Sequence, residues 1–237
     1  MISGVRSNQK VSRETIMSGT ISNPGFLIDL DGLLINSEGI SEIAFEKMCS
    51  QLGCDFTKDY HSKIRGTKKQ FWSKTFVDTF GLQLEPDEVA NLHTRLLLEE
   101  LDQSVQLMPG ASDLLGWISL RAYPKALVTS SDSSYATKYL SKLGILAQFD
   151  EIVASEDVSN GKPDPEPFLL GASRIKRKPS QCFVFEDSVN GVISGKTAGA
   201  TVFGVPTNES DKNRMNTADY ILSSLDKSIP ILEELGL

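Results

Sequence analysis

The sequence predicts a doubly wound α/β fold: a mostly parallel β-sheet with helices on both faces and a helical domain inserted after the first strand. Three observations predict it. Short apolar runs alternate with amphipathic helical segments, as in parallel sheets with right-handed crossovers. About a hundred residues separate the first run from the second, far more than one crossover needs. Acidic residues directly follow two of the runs, where ligands bind in such sheets.

The predicted strands are short and continuously apolar, as expected of strands that are buried on both faces of a sheet. They span residues 26–28, 126–128, 152–154, 182–185 and 201–205. Helical periodicity lies between them at 111–120 and 135–143, and in the long first interval at 40–52, 68–80 and 86–101. We therefore predict a core of residues 23–35 and 107–237, a helical cap of residues 36–106, and a flexible tail of residues 1–22.

Composition and charge disfavour several classes of protein. Lys and Arg total 24 against 31 Asp and Glu, a net charge of −7, whereas proteins that bind nucleic acid or anionic membranes need a cationic face. No apolar stretch approaches the roughly 18–20 residues that span a bilayer. The three cysteines lack the spacing of a zinc site. We expect no nucleic acid and no membrane as partner, a monomer, and a cytoplasmic location, while an organelle presequence in residues 1–22 stays open.

Carboxylates at two predicted strand ends are the most informative feature of the sequence. Asp29 and Asp31 follow the first run, and Glu186 and Asp187 follow the fourth. An Asp-Gly pair also favours a plain turn, but Asp29 lies between apolar residues, where a solvated turn would be polar. If the two strands are neighbours, three or four carboxylates converge and repel one another. A hard cation would relieve this repulsion, and oxygen ligands favour Mg²⁺.

Two further strand ends offer groups that complement an anion. Thr129 and Ser130 supply a hydroxyl and backbone N–H groups near a helix start, which is a cradle for an anion or simply a helix cap. Lys162 lies in the stiff segment Gly-Lys-Pro-Asp-Pro, where prolines fix the backbone.

These motifs occur in a fixed order: Asp-x-Asp-Gly, Val-Thr-Ser, Gly-Lys-Pro-Asp-Pro and Glu-Asp-Ser-x-x-Gly. In this order they resemble the haloacid dehalogenase (HAD) superfamily, over about residues 25–230. Within it, the chain is similar to the β-phosphoglucomutase-like branch with a helical cap, which contains pseudouridine-5′-phosphatases and sugar-phosphate phosphatases. The resemblance implies a Rossmann-like core and a phosphatase that acts on a small phosphorylated metabolite, such as a sugar phosphate or a nucleotide.

The resemblance also implies a role for each residue. Asp29 would attack the phosphorus and form an aspartyl-phosphate, and Asp31 would exchange protons with the alcohol and the water. Thr129, the Ser130 amide and Lys162 would bind the phosphate. The ligands of Mg²⁺ would be Asp29, the backbone carbonyl of Asp31, Asp187 and Glu186, the last directly or through water.

Two questions stay open in the sequence. Lys69, with Lys68, matches a substrate-facing cap loop of the branch, but a solvated basic loop explains both lysines equally well. In the mutases of the branch a cap histidine moves protons on the sugar, and Ser41 stands at the matching position here. This favours hydrolysis, with a sugar-phosphate mutase as the alternative and a non-catalytic phospho-acceptor or binding module as a remote one.

Overall fold

The computed structural model describes residues 23–55, 57 and 69–237, and only the backbone of residues 69 and 70. Six parallel strands form one sheet in the order β3-β2-β1-β4-β5-β6. Their bounds are β1 Gly25–Ile28, β2 Lys125–Val128, β3 Glu151–Val153, β4 Cys182–Glu186, β5 Thr201–Gly204 and β6 Tyr220–Ile221. β1 pairs with β2 on one side and with β4 on the other.

The two central strands β1 and β4 are buried on both faces, which explains their unbroken apolar sequences. Successive side chains point to opposite faces. Phe26 and Ile28 therefore pack into one apolar cluster, while Leu27 packs into another on the opposite face.

Helices cover both faces of the sheet. Those of the core are α4 Ala111–Leu120, α5 Ser133–Lys142, α6 Glu166–Arg174, α7 Val189–Ala198, α8 Glu209–Arg214 and α9 Ser228–Glu234. Residues of α4, α5 and α9 share the cluster of Phe26, whereas residues of α6 and α7 share the cluster of Leu27.

A separate helical unit lies between β1 and α4. It consists of α1 Ser37–Leu52, α2 Lys69–Phe80 and α3 Pro86–Ser104. Its own apolar cluster includes Phe45, Trp72 and Phe76, with Phe80 at its edge. Pro86 begins α3, and a capping box between Glu85 and Glu88 closes its first turn.

The chain enters and leaves this unit along two adjacent segments. Ile35 forms an antiparallel bridge with Leu107. Beside it, the Asn36 N–H donates to the Gln106 carbonyl at 3.1 Å, and the Gln106 N–H donates to the Asn36 side-chain oxygen at 2.8 Å. These bonds place the connections of the cap next to the end of β1.

The predicted fold class, a doubly wound parallel sheet with a helical cap, is confirmed. The strand β6 was not predicted, because two residues are too few to produce a recognisable pattern. The boundaries of core and cap stay a prediction, and the tail of residues 1–22 lies outside the described residues. In the described part of the chain, every helix is too short or too polar to cross a membrane.

Candidate active site

The acidic strand ends meet at the point where the strand order of the sheet reverses. From β1 the chain proceeds outward to β2 and β3, and it then returns to add β4 on the other side of β1. Ligands bind beyond the carboxyl ends of strands at such a point. Asp29 follows β1 and its N–H donates to the Phe185 carbonyl at 3.1 Å. Because this bond extends the pairing of the strands, Asp29 lies beside Glu186, the last residue of β4.

Three of these carboxylates form a compact buried cluster. One oxygen from each of Asp29, Glu186 and Asp187 lies within 4.8 Å of the others. Asp187 also lies against the turn after Asp31, since a Cβ built on Gly32 would be 2.2 Å from its Oδ2. Gly32 has a φ of +77°, in the left-handed region that suits glycine. The turn thus needs a glycine for its backbone conformation and for the approach of Asp187.

Lys162 brings a positive charge into the cluster. Its Nζ donates to Asp29 Oδ1 at 2.6 Å, to Glu186 Oε1 at 2.5 Å and to the Val128 carbonyl at 2.9 Å. The Lys162 side chain is 5% exposed, and its ammonium lies 5.0 Å from the centre of the Phe168 ring. The structure thus places Lys162 beside Asp29, although 133 residues separate them.

The charges of the cluster do not balance. Burial raises the pKa of Asp29 well above its usual range, although the Lys162 ammonium opposes this shift. Burial alone would lower the pKa of Lys162, but the Asp29 and Glu186 carboxylates hold it above its usual value. Among the described residues of the cluster, a single ammonium faces three carboxylates. The surplus negative charge suits a cation bound by hard oxygen ligands.

Glu186 is fully buried and both of its oxygens are hydrogen-bonded. Oε1 accepts from Lys162, while Oε2 accepts from the Ser188 hydroxyl at 2.9 Å and the Ser188 N–H at 3.1 Å. The first turn of α7 leaves just enough room for it, since a Cβ on Gly191 would lie 1.8 Å from the Glu186 carboxyl carbon. The contact with Ser188 was not predicted, although Ser188 directly follows the acidic pair.

We expect Gly191→Ala to destabilise the protein by about 1–3 kcal/mol, because the new methyl group must displace Glu186 or the helix. Gly116→Ala is the matched control, since a Cβ at this position in α4 meets no atom within 4 Å. This control should gain up to about 1 kcal/mol from better helix propensity. Denaturant unfolding of both variants measures the difference. Equal stabilities would show that Glu186 moves away at no cost.

Asp31 is held by two hydroxyl groups that the sequence did not reveal as site residues. Ser131 Oγ donates to Asp31 Oδ2 at 2.7 Å, and Tyr135 Oη donates to Asp31 Oδ1 at 2.9 Å. Burial raises the pKa of Tyr135, and the Asp31 charge adds to the shift, so the phenol keeps its proton. Ser131 directly follows the Val-Thr-Ser motif, but nothing in the local sequence marks Tyr135.

Thr129 and Ser130 directly follow β2, which pairs with β1 and β3. The Thr129 N–H donates to the Val153 carbonyl at 2.9 Å, and the Thr129 hydroxyl oxygen accepts from the Ser131 N–H at 3.0 Å. This leaves the hydroxyl proton of Thr129 for another acceptor. Thr129 is buried, whereas Ser130 is exposed. The arrangement is compatible with the predicted anion cradle, whose role stays a prediction.

The predicted cap contacts cannot be placed. Lys68 and the side chain of Lys69 lie outside the described residues, so their contact with a substrate stays a prediction. Ser41 is half-buried in α1.

Comparison with known proteins identifies the family. A family model described as haloacid dehalogenase-like hydrolase matches residues 26–205, which include all of the cluster. The chain belongs to this family. Of its relatives, the bifunctional riboflavin kinase/FMN phosphatase of Arabidopsis thaliana is 34% identical over 84% of the chain. The chain spans 52% of the length of that relative.

Two more proteins resemble this haloacid dehalogenase-like hydrolase over most of their own length. The probable pseudouridine-5′-phosphatase of Drosophila melanogaster is 31% identical, over 89% of the chain and 93% of the relative. The crystal structure of β-phosphoglucomutase from Clostridium difficile superposes with a TM-score of 0.72 at 22% identity, over 90% and 97% of the two chains. The family resemblance and the enzyme class predicted from the sequence, a haloacid dehalogenase-like phosphatase, are confirmed.

Proposed function

We propose that this enzyme hydrolyses a small phosphomonoester with the help of Mg²⁺ and that the reaction passes through an aspartyl-phosphate on Asp29. The convergence of Asp29, Asp187 and Lys162 beyond the ends of β1 and β4 carries the proposal. A nucleophile, a site for a cation and a fixed ammonium are the groups that phosphoryl transfer requires, because catalysis of this reaction is mostly positioning and charge stabilisation.

The cluster fits a magnesium ion in its donor atoms and in its charge. Asp29, Asp187 and the backbone carbonyl of Asp31 would hold the ion. Since both oxygens of Glu186 already accept hydrogen bonds, we assign it to the fixation of Lys162 and to a contact with the ion through water. When bound, Mg²⁺ supplies positive charge that offsets the carboxylates and the phosphate.

In the first half of the reaction, a carboxylate oxygen of Asp29 forms a bond to phosphorus, and the bond between phosphorus and the ester oxygen breaks. Asp31 gives a proton to the departing alkoxide, which leaves as an alcohol. The Thr129 hydroxyl and the Ser130 N–H bind the phosphoryl oxygens, and the positive charge of the Lys162 ammonium stabilises the charge on the phosphoryl group. The short contact of Lys162 with Asp29 also orients the nucleophile.

In the second half, a water molecule attacks the phosphorus of the aspartyl-phosphate. Asp31, now deprotonated, takes a proton from this water, the acyl phosphate bond breaks, and inorganic phosphate leaves. Asp29 and Asp31 thereby return to their initial states, which balances the cycle.

The direct test is a phosphate-release screen with and without Mg²⁺. The panel includes FMN, pseudouridine 5′-phosphate, several sugar phosphates and β-glucose 1-phosphate. We expect Mg²⁺-dependent release of phosphate from at least one ester. Isomerised sugar phosphate in place of free phosphate would favour the mutase. Persistent phosphorylation without turnover would favour a phospho-acceptor module.

We expect Asp187→Asn to raise the Mg²⁺ concentration for half-maximal activity by at least about tenfold, because the amide is a neutral and weaker ligand. The maximal rate at saturating Mg²⁺ should recover in part. Titration of activity with Mg²⁺ in the wild type and the variant measures both quantities. An unchanged Mg²⁺ requirement would remove Asp187 from the proposed ligands.

A further inference from the structure

The Asp31 carboxylate is fixed at both of its oxygens by hydroxyl groups of the segment that follows β2. Ser131 holds Oδ2 at 2.7 Å and Tyr135 holds Oδ1 at 2.9 Å. Two hydrogen bonds on different oxygens determine the plane of the carboxylate as well as its position. A side chain with one such bond could still turn about its last torsion.

Tyr135 is itself held in place. Its N–H donates at 2.8 Å to the side chain of Asp132, the N-cap residue of α5. Its ring packs against that of Tyr139 with centroids 4.8 Å apart. The phenol therefore reaches Asp31 from a helix that belongs to the core.

The turn after Asp31 is tied to the start of α1. Ser37, the first residue of this helix, accepts the Gly32 N–H with its hydroxyl oxygen at 3.1 Å. The backbone directly after Asp31 is therefore held in place, as its carboxylate is by Ser131 and Tyr135.

We propose that Tyr135, with Ser131, is a positioning residue that sets the orientation in which Asp31 delivers its proton to the departing alcohol. The inference rests on the proposed function of Asp31 and adds a residue that the family motifs do not include. Loss of the Tyr135 hydroxyl leaves the nucleophile and the phosphate-binding groups in place but lets the Asp31 carboxylate turn. The loss should then matter most where the leaving group most needs a proton.

The test compares two esters of similar shape, phenyl phosphate and p-nitrophenyl phosphate, in the Tyr135→Phe variant. Phenol is the poorer leaving group and needs the proton more. We expect kcat/KM for phenyl phosphate to fall about tenfold and that for p-nitrophenyl phosphate to stay within about twofold. This constant is the right readout because it reports the steps up to departure of the alcohol.

Ser131→Ala should shift the ratio of the two constants in the same direction, which keeps the test decisive if Tyr135→Phe folds poorly. Tyr123→Phe is the matched control, since Tyr123 precedes β2 at the opposite end of the strands. It should leave the ratio unchanged. Equal losses on both esters, or no loss, in Tyr135→Phe and Ser131→Ala would overturn the positioning role. Failure of the wild type to release phosphate with Mg²⁺ from these two esters and from every ester of the metabolite panel would instead refute the proposed function.

Discussion

Asp29→Asn is expected to release phosphate at least about 10⁴-fold more slowly than the wild type, because an amide cannot form the covalent bond to phosphorus. The fold should be retained. Asparagine keeps the shape of the side chain, and its oxygen can still accept the hydrogen bond from Lys162. Removal of one of three clustered carboxylates also lowers their mutual repulsion. Steady-state phosphate release and thermal unfolding measure the two effects.

Asp113→Asn is the matched control, since Asp113 is exposed in the first turn of α4. It should retain full activity. Mass spectrometry of the Asp29→Asn sample excludes reversion by deamidation. The wild type, quenched in acid during turnover, should carry a mass increase of one phosphoryl group, whereas the variant should carry none. Near-normal turnover by a homogeneous variant would refute covalent catalysis by Asp29.

The fold was predictable because the burial of a strand determines which of its residues are apolar. A strand covered on both faces must be apolar throughout, and β1 and β4 follow this rule over their whole length up to the acidic ends. The cap was predictable from spacing, since one crossover cannot fill the interval after β1. The strand β6 shows no such pattern, because its two residues pair at the edge of the sheet, where Tyr220 is partly buried and Ile221 is exposed.

The candidate site was predictable where chemistry is tied to strand ends. Asp29, Glu186 and Asp187 could be placed from sequence because the carboxyl ends of parallel strands share one edge of the sheet. Tyr135, which donates a hydrogen bond to Asp31, could not be placed from the sequence. Tyr135 lies 104 residues away, and only the packing of α5 decides which of its aromatic residues reaches the site.

The structure also shows different contacts for two acidic residues to which the sequence analysis gave the same role. Glu186 and Asp187 are neighbours and were both predicted as metal ligands. Glu186 points toward Lys162 and Ser188, whereas Asp187 lies against Gly32. Successive residues of a strand end point in different directions, so that one carboxylate can hold the ammonium while the next faces the turn after Asp31.

Lys162→Met should reduce both stability and activity, because the ammonium balances part of the charge of Asp29 and Glu186. Removal of one partner of a buried ion pair typically costs about 3–5 kcal/mol, since the remaining charge stays buried without compensation. All three side chains are at most 9% exposed, so solvent screens little of this cost. Methionine keeps the length of the side chain and can still pack near Phe168.

The activity of Lys162→Met should fall by about 10²–10³-fold through loss of a fixed charge on the phosphoryl group. Lys196→Met is the matched control. Lys196 pairs with Asp219 at 2.8 Å, but these side chains are 33% and 26% exposed, whereas that of Lys162 is 5% exposed. Its loss should cost under about 1 kcal/mol and leave turnover unchanged. Denaturant unfolding and phosphate release measure both variants.

The effect of Mg²⁺ on the stability of Lys162→Met tests more directly whether surplus negative charge governs the cluster. Without Lys162, the carboxylates face no fixed ammonium, so a bound cation relieves more repulsion than it does in the wild type. We therefore expect Mg²⁺ to raise the unfolding temperature of Lys162→Met more than that of the wild type. An equal rise in both proteins, or a variant as stable as the wild type without Mg²⁺, would mean that surplus negative charge does not govern this cluster.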